Sequence, residues 1–228
     1  MAPTPEQLAA IEHARTSSNN LAVHACAGSG KTTVLVEMVK AQNPRKRCLS
    51  VAFNKSIKEE LQARVPRNVD VKTLHGLGYA ALQRAWNRRL EMDGRRERSI
   101  IQSLIPYETQ NRRAVCGGVA KLVSFSMNEL AVTPDLIGKV MNRYGVLPEV
   151  GVEAGRYVDW ASQVLQLARK ETSSISFDDQ IYLPAVESMR TGWYDAVFFD
   201  EAQDANPAQM RLILNAVKPG GKVIIVGD

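Results

Sequence analysis

The sequence predicts an α/β fold in which a parallel β-sheet is flanked by helices and interrupted by a mainly helical subdomain. Three observations carry this expectation. Short, mostly apolar runs at 21–25, 48–53, 196–199 and 222–226 have the length of buried strands. The early runs alternate with helix-like stretches, which implies crossover connections and parallel pairing. Between about 99 and 170 such runs are missing and helical periodicity dominates.

Taken in order, residues 7–14 read as a helix, 21–25 as a strand and 31–40 as a helix. A strand at 48–53 is followed by a helix at 55–64, a short strand at 69–72 and a helix at about 74–89. The helical middle is punctuated near Pro106, Gly117-Gly118, Pro134, Pro148 and Gly155, where proline or glycine breaks the period. A helix is then expected at 177–189, a strand at 196–199, a helix at 207–216 and a strand at 222–226. Pro207 suits a first helical turn because its φ is fixed, and Lys218-Pro219-Gly220-Gly221 reads as a turn. The expected organisation is a first sheet segment at 1–80, an inserted helical subdomain at 81–174 and a second sheet segment at 175–228.

The segment Ala25-Cys26-Ala27-Gly28-Ser29-Gly30-Lys31-Thr32 lies between the first strand and the second helix. A strand, a glycine-rich turn and Gly-Lys-Thr opening a helix is the pattern of a phosphate-cradling loop. Glycines let the backbone aim N–H groups at phosphate oxygens, and the helix start adds unpaired amides and a positive dipole end. Lys31 is expected to reach the outer phosphates and Thr32 to ligate Mg²⁺. Ala27, Gly28, Ser29, Gly30 and Thr33 complete the expected nucleotide contacts. The second motif is Asp200-Glu201-Ala202-Gln203-Asp204, which ends the apolar run Ala196-Val197-Phe198-Phe199. Open α/β sheets bind ligands at the carboxyl ends of their strands. Asp200 is expected to hold Mg²⁺ and Glu201 to activate water, so Lys31, Asp200 and Glu201 are the candidate catalytic set.

Together these motifs resemble the first RecA-like half of superfamily 1 helicases of the UvrD/Rep type. The fold this implies is a P-loop NTPase (RecA-like) sheet with an inserted helical subdomain. The resemblance implies ATP and Mg²⁺ as cofactors. It places Gln7, in Thr4-Pro5-Glu6-Gln7, at the adenine edge, where an amide offers both a donor and an acceptor. It implies contacts to single-stranded DNA, with or without an adjoining duplex, by Phe53, Asn54 and Lys55 and by Thr73 and His75. Phe53 is equally readable as a base-stacking platform or as core at a strand end. Asn54 and Lys55 either touch phosphate or begin a helix. Gln203 and Asp204 are expected to couple nucleotide state to DNA or to a partner domain. Ser176-Phe177-Asp178-Asp179 is similar to a further family motif and suits a helix start, since Asp favours the first turn. Val223-Ile224-Ile225-Val226-Gly227-Asp228 is similar to the strand and opening Gly-Asp of the next motif. The family's second RecA-like half, with its charge-neutralising arginines, has no counterpart in these residues. The expectation is therefore a truncated helicase portion: an ATP-binding unit that hydrolyses weakly and does not unwind alone.

The net charge is +5 and the pI about 9.2, as a polyanion-binding protein would show. Arg84, Arg88, Arg89, Arg95, Arg96, Arg98, Arg112 and Arg113 face only Glu91, Asp93, Glu97 and Glu108 within the same stretch. This is either a phosphate-binding region or a solvated helix face. No apolar run approaches the roughly 20 residues that span a bilayer, and the N-terminus lacks the basic start and apolar core of a signal peptide. Three scattered cysteines suggest a reducing compartment and no zinc site. A cytoplasmic or nucleoid-associated location follows as the expectation. Two other functions fit the same residues: a non-catalytic nucleotide- or DNA-binding regulatory module, and a P-loop ATPase acting on something other than DNA.

Overall fold

The computed structural model describes residues 3–26 and 28–228. Two compact units are present. One comprises residues up to 81, 188–205 and 210–228; the other comprises 82–187 and 206–209.

The first unit is a five-stranded sheet, all parallel, built from β1 (Leu21–His24), β2 (Cys48–Ala52), β3 (Val69–Thr73), β6 (Tyr194–Phe199) and β7 (Val217–Gly227). Its order is β1-β7-β6-β2-β3. The interior strand β2 is buried along its whole length, whereas edge strand β1 alternates in exposure, as expected for two-sided and one-sided burial. The helices α1 (Pro5–Thr16), α2 (Lys31–Lys40) and α3 (Lys55–Arg64) pack with the sheet through Ala14, Leu35, Met38, Leu61, Phe198 and Val226. The register pairs His24 with Gly227, Phe199 with Ile225, Val51 with Phe199, and Ala52 with Thr73. All five carboxyl ends therefore lie along one sheet edge.

Two buried polar groups fix α1. Lys222 Nζ donates to the carbonyls of Ala14 and Ser17, and Gln42 Nε2 donates to Ala14 O at 2.7 Å and Met38 O at 2.9 Å. These satisfy carbonyls at the end of α1 that no helical amide reaches.

The second unit contains α5 (Arg96–Leu104), α6 (Arg112–Asn128), α7 (Pro134–Arg143), α8 (Ala154–Lys170) and α9 (Asp179–Val186). Its core includes Ile101, Val119, Leu122, Ile137, Tyr157 and Val164. Gly118 is required where it stands: a Cβ there would lie 2.7 Å from the Tyr157 ring. Arg96 and Asp179, both buried, form an ion pair. Arg96 also donates to the carbonyls of Ala168 and Glu171, tying α5 to the end of α8.

The structure departs from sequence expectation in four places. A parallel two-stranded ribbon, β4 (Glu91–Met92) with β5 (Ser174–Ile175), was not predicted, since two-residue strands carry no readable period. Helix α4 (Leu74–Trp86) stops short of residue 89, where Asn87 adopts a left-handed φ of 49°. Helix α9 starts two residues later than expected, and ahead of it Ser176 and Asp179 hold each other's backbone amides with their side chains at 2.9 and 3.1 Å. Residues 218–221 belong to β7. Val217 pairs with Tyr194 and Lys222 with Ala196, so the expected turn is an excursion inside the strand, with Gly220 at φ 74°.

Candidate functional site

The site grows from the turn between β1 and α2. Ala25 N donates to Gly227 O at 2.9 Å, continuing the β1–β7 pairing past the strand end. Ser29 N donates to Cys26 O at 3.1 Å, closing the turn. Gly28 and Gly30 have φ of 78° and 84°, conformations that a side chain resists. Gly30 precedes the first residue of α2 and supplies no side-chain cap. The opening amides of that helix are thus left for another acceptor. Ala27, expected among the nucleotide contacts, lies outside the described residues.

The ends of β6 and β7 converge on this turn. Thr32 Oγ1 donates to Asp200 Oδ2 at 2.6 Å, and Glu201 N donates to Asp200 Oδ1 at 3.0 Å. Lys31 Nζ forms an ion pair with Asp228 and lies 3.3 Å from Glu201 Oε2. The hydrogen bond that Lys31 donates to Asp228, with that to Glu201, holds its ammonium above its ordinary pKa against the opposing effect of desolvation. Gln203 links the two acids: its Nε2 donates to Glu201 at 2.8 Å and its Oε1 accepts from Asp228 N at 3.1 Å. Gly227 permits that approach, since a Cβ there would fall 2.5 Å from Gln203 Oε1. Glu201 itself adopts a left-handed backbone, φ 53° and ψ 45°. Asp204 is exposed at the end of the 3₁₀ turn Ala202–Asp204. Sequence reasoning assigned Asp228 to a strand-end motif but gave it no role at Lys31. Their separation by 197 positions leaves no local signal.

Gln7 sits on α1 beside the turn. Its Oε1 accepts from Thr4 N at 3.0 Å and its Nε2 donates to Ser29 O at 3.1 Å. It is therefore both a helix cap and a tether for the glycine turn. A cavity of about 390 Å³ adjoins it, lined by Gln7, Ala10, Val23, His24, Lys31 and Val226 among others. Thr33 Oγ1, in contrast, accepts from Arg64 at 3.2 Å and so faces α3.

The residues expected at DNA lie at the ends of β2 and β3. Phe53 is half-buried, with its ring 5.2 Å from that of Phe199. Asn54 caps α3 by accepting from Ile57 N at 2.9 Å. Lys55 is exposed and 3.8 Å from Glu59. Thr73 Oγ1 accepts from Gly76 N at 3.1 Å, and partial burial holds the His75 imidazole below its ordinary pKa. Asn54 and Thr73 thus both begin helices.

Hydroxyl and carboxylate oxygens at Thr32 and Asp200 are of the kind that magnesium selects. Among the described residues there is no group of three or more His, Cys, Asp or Glu able to cage a metal.

A family model described as an AAA domain matches residues 7–228, from the Gln7 tether to the Asp228 partner of Lys31. The chain belongs to the AAA domain family. This AAA domain is 28% identical over 250 residues to F-box DNA helicase protein 1 of Schizosaccharomyces pombe, covering 99% of the chain and 27% of that protein. It is 26% identical over 239 residues to F-box DNA helicase 1 of Gallus gallus, covering 99% of the chain and 23% of that protein. The AAA domain here thus spans about a quarter of the length of the curated relatives it matches. Among the described residues no helix is long and apolar enough to cross a membrane.

Proposed function

We propose that this chain is the ATP-binding portion of an ATP-dependent DNA helicase or translocase acting on single-stranded DNA. One observation carries the reading: Lys31 and Thr32, at the start of α2, meet Asp200 and Glu201, at the end of β6, at the carboxyl edge of a parallel sheet. The likeness to two DNA helicases along the whole chain supports the choice of DNA.

The residues fit magnesium-bound ATP in kind. Lys31 already faces two carboxylates, so its surroundings favour an anion that could replace them. Bound Mg²⁺ and ATP supply the labile phosphoanhydride and the charge these residues are set to balance. Lys31 neutralises phosphate charge, while Thr32 and Asp200 hold the metal. Glu201 orients water and accepts its proton. Gln7 keeps one amide N–H and one lone pair beyond its bonds to Ser29 O and Thr4 N, which leaves an edge for adenine. Gln203, bonded to both Glu201 and Asp228, is placed to couple changes at the outer phosphate to the strand ends, with Asp204 beside it. Phe53, Asn54, Lys55, Thr73 and His75 supply the DNA contacts. Efficient hydrolysis requires a second sheet domain that brings arginines to the transferring phosphoryl group, an effect worth about 10³–10⁵ in rate.

The test is Lys31→Ala. A fluorescent ATP analogue with Mg²⁺ is expected to bind the chain, and the substitution to weaken it at least tenfold. In the full-length parent, DNA-stimulated hydrolysis is expected to disappear. Undiminished hydrolysis by the variant would reject the assignment.

A further inference from the structure

The second unit carries a cleft of about 740 Å³ between α5 and the start of α6. Its lining includes Arg98 and Gln102 from α5, Arg112, Arg113 and Gly117 from α6, and Tyr107 from the connection. Tyr107 is 85% exposed, yet one face of its ring is covered by the Arg112 guanidinium, 4.5 Å from the centroid. Arg112 is itself fixed, donating to the carbonyls of Ile105 at 3.1 Å and Gln102. The ring is thus held by a cation on one side and open on the other.

Arg98 and Arg113 are exposed, and no carboxylate among the described residues forms an ion pair with either. Asn111, the residue preceding α6, has φ 52° and makes no side-chain cap; the amides of Arg112 and Ala114 are taken by the carbonyls of Thr109 and Asn111. Glu149 lines an adjoining hollow with Arg113, and Glu108 follows Tyr107 in sequence. These two acids are outnumbered by the three arginines.

We propose that this cleft is a binding site for single-stranded nucleic acid. A base stacks on the open face of Tyr107 while Arg98 and Arg113 hold the flanking phosphates. Stacking on a cation-backed aromatic ring accepts any base. Paired arginine forks suit phosphate, and a duplex, whose bases are already stacked, cannot offer a base to the ring. The inference rests on the nucleic-acid part of the proposed function and not on the ATP site.

The experiment uses the whole chain, a fluorescein-labelled 20-nucleotide oligothymidine and anisotropy at several salt concentrations. Tyr107→Ala is expected to weaken binding about tenfold, within the range of one lost stacking contact. Tyr107→Phe is expected to bind like the wild type, because the ring and not the hydroxyl does the work. Arg98→Ala with Arg113→Ala should lower the slope of log affinity against log salt by about 1.4, since each phosphate contributes about 0.7 on a single strand. Gly117→Leu, at a position where an added Cβ meets nothing within 4 Å, should block the cleft and weaken binding without loss of thermal stability. Oligonucleotide binding that Lys55→Ala weakens but none of these variants changes would overturn the proposal and leave the sheet-edge contacts standing. Equal or tighter binding of a 20-base-pair duplex would overturn it as well. Oligonucleotide binding that stays sensitive to Tyr107→Ala while the ATP analogue fails to bind would reject the ATP reading and leave this site standing.

Discussion

Replacing Asp179 with asparagine isolates the charge of one buried group. Asp179 is fully buried and Arg96 3% exposed; Asp179 Oδ2 accepts from both Arg96 and Ser176 N. Asparagine keeps the volume and an acceptor oxygen, so the main loss is the negative charge opposing a buried guanidinium. Breaking a buried ion pair from one side costs about 3–5 kcal/mol, because the remaining charge is stranded in low dielectric. In a unit of roughly 110 residues that corresponds to a fall in Tm of about 10–20 °C. Urea and thermal unfolding followed by circular dichroism would measure it. Adding Arg96→Met removes the stranded cation, so the double variant should be less destabilised than the sum of the singles, by about 2 kcal/mol or more. Arg96→Met alone should depend on pH. Burial already pushes the Asp179 carboxyl above its ordinary range, against the pull of Arg96. Without that cation the raised folded pKa favours the protonated state. The variant's deficit should therefore be smallest at acid pH and grow as pH rises through the folded pKa. An Asp179→Asn protein within about 0.5 kcal/mol of wild type, or singles that simply add, would refute the reasoning.

Three further outcomes follow from the same structure. Gly30→Ala should cost about 1–2 kcal/mol in unfolding experiments, since φ 84° is unfavourable for any residue with a Cβ, and it should weaken ATP-analogue binding more than a surface Ala substitution. Asn54→Ala should cost about 1 kcal/mol through loss of the α3 cap, whereas Asn54→Asp should restore stability, which separates capping from any role at DNA. Burial depresses the His75 pKa, so the unfolded chain binds that proton more readily; stability should fall as pH drops below about 6.5, and His75→Gln should flatten the dependence.

Much of the sheet is legible without coordinates. Val197 to Phe199 in β6 lie in a uniform apolar run, and Leu49 and Val51 in β2 in one broken by Ser50 alone, as a strand covered on both faces requires. The same holds for the glycine turn, whose positive φ values at Gly28 and Gly30 need that residue type. The ribbon of Glu91–Met92 with Ser174–Ile175 is illegible because its two short strands lie far apart in sequence. The arginine-rich stretch reads as a single charged region, yet its members have separate fates. Arg96 is buried against Asp179, Arg112 is fixed to carbonyls of α5 and its C-terminal end, and Arg98 and Arg113 remain exposed. Composition cannot distinguish a guanidinium that caps a helix from one that faces water.

The sequence by itself determined the parallel α/β class and named Lys31, Thr32, Asp200 and Glu201, because strand hydrophobicity and glycine conformation are local properties written at each position. Tertiary structure alone decided which strand ends become neighbours. The order β1-β7-β6-β2-β3 puts Thr32 2.6 Å from Asp200 and brings Asp228 to Lys31. That proximity comes from sheet pairing between segments nearly 200 residues apart, and no periodicity or spacing along the chain encodes it.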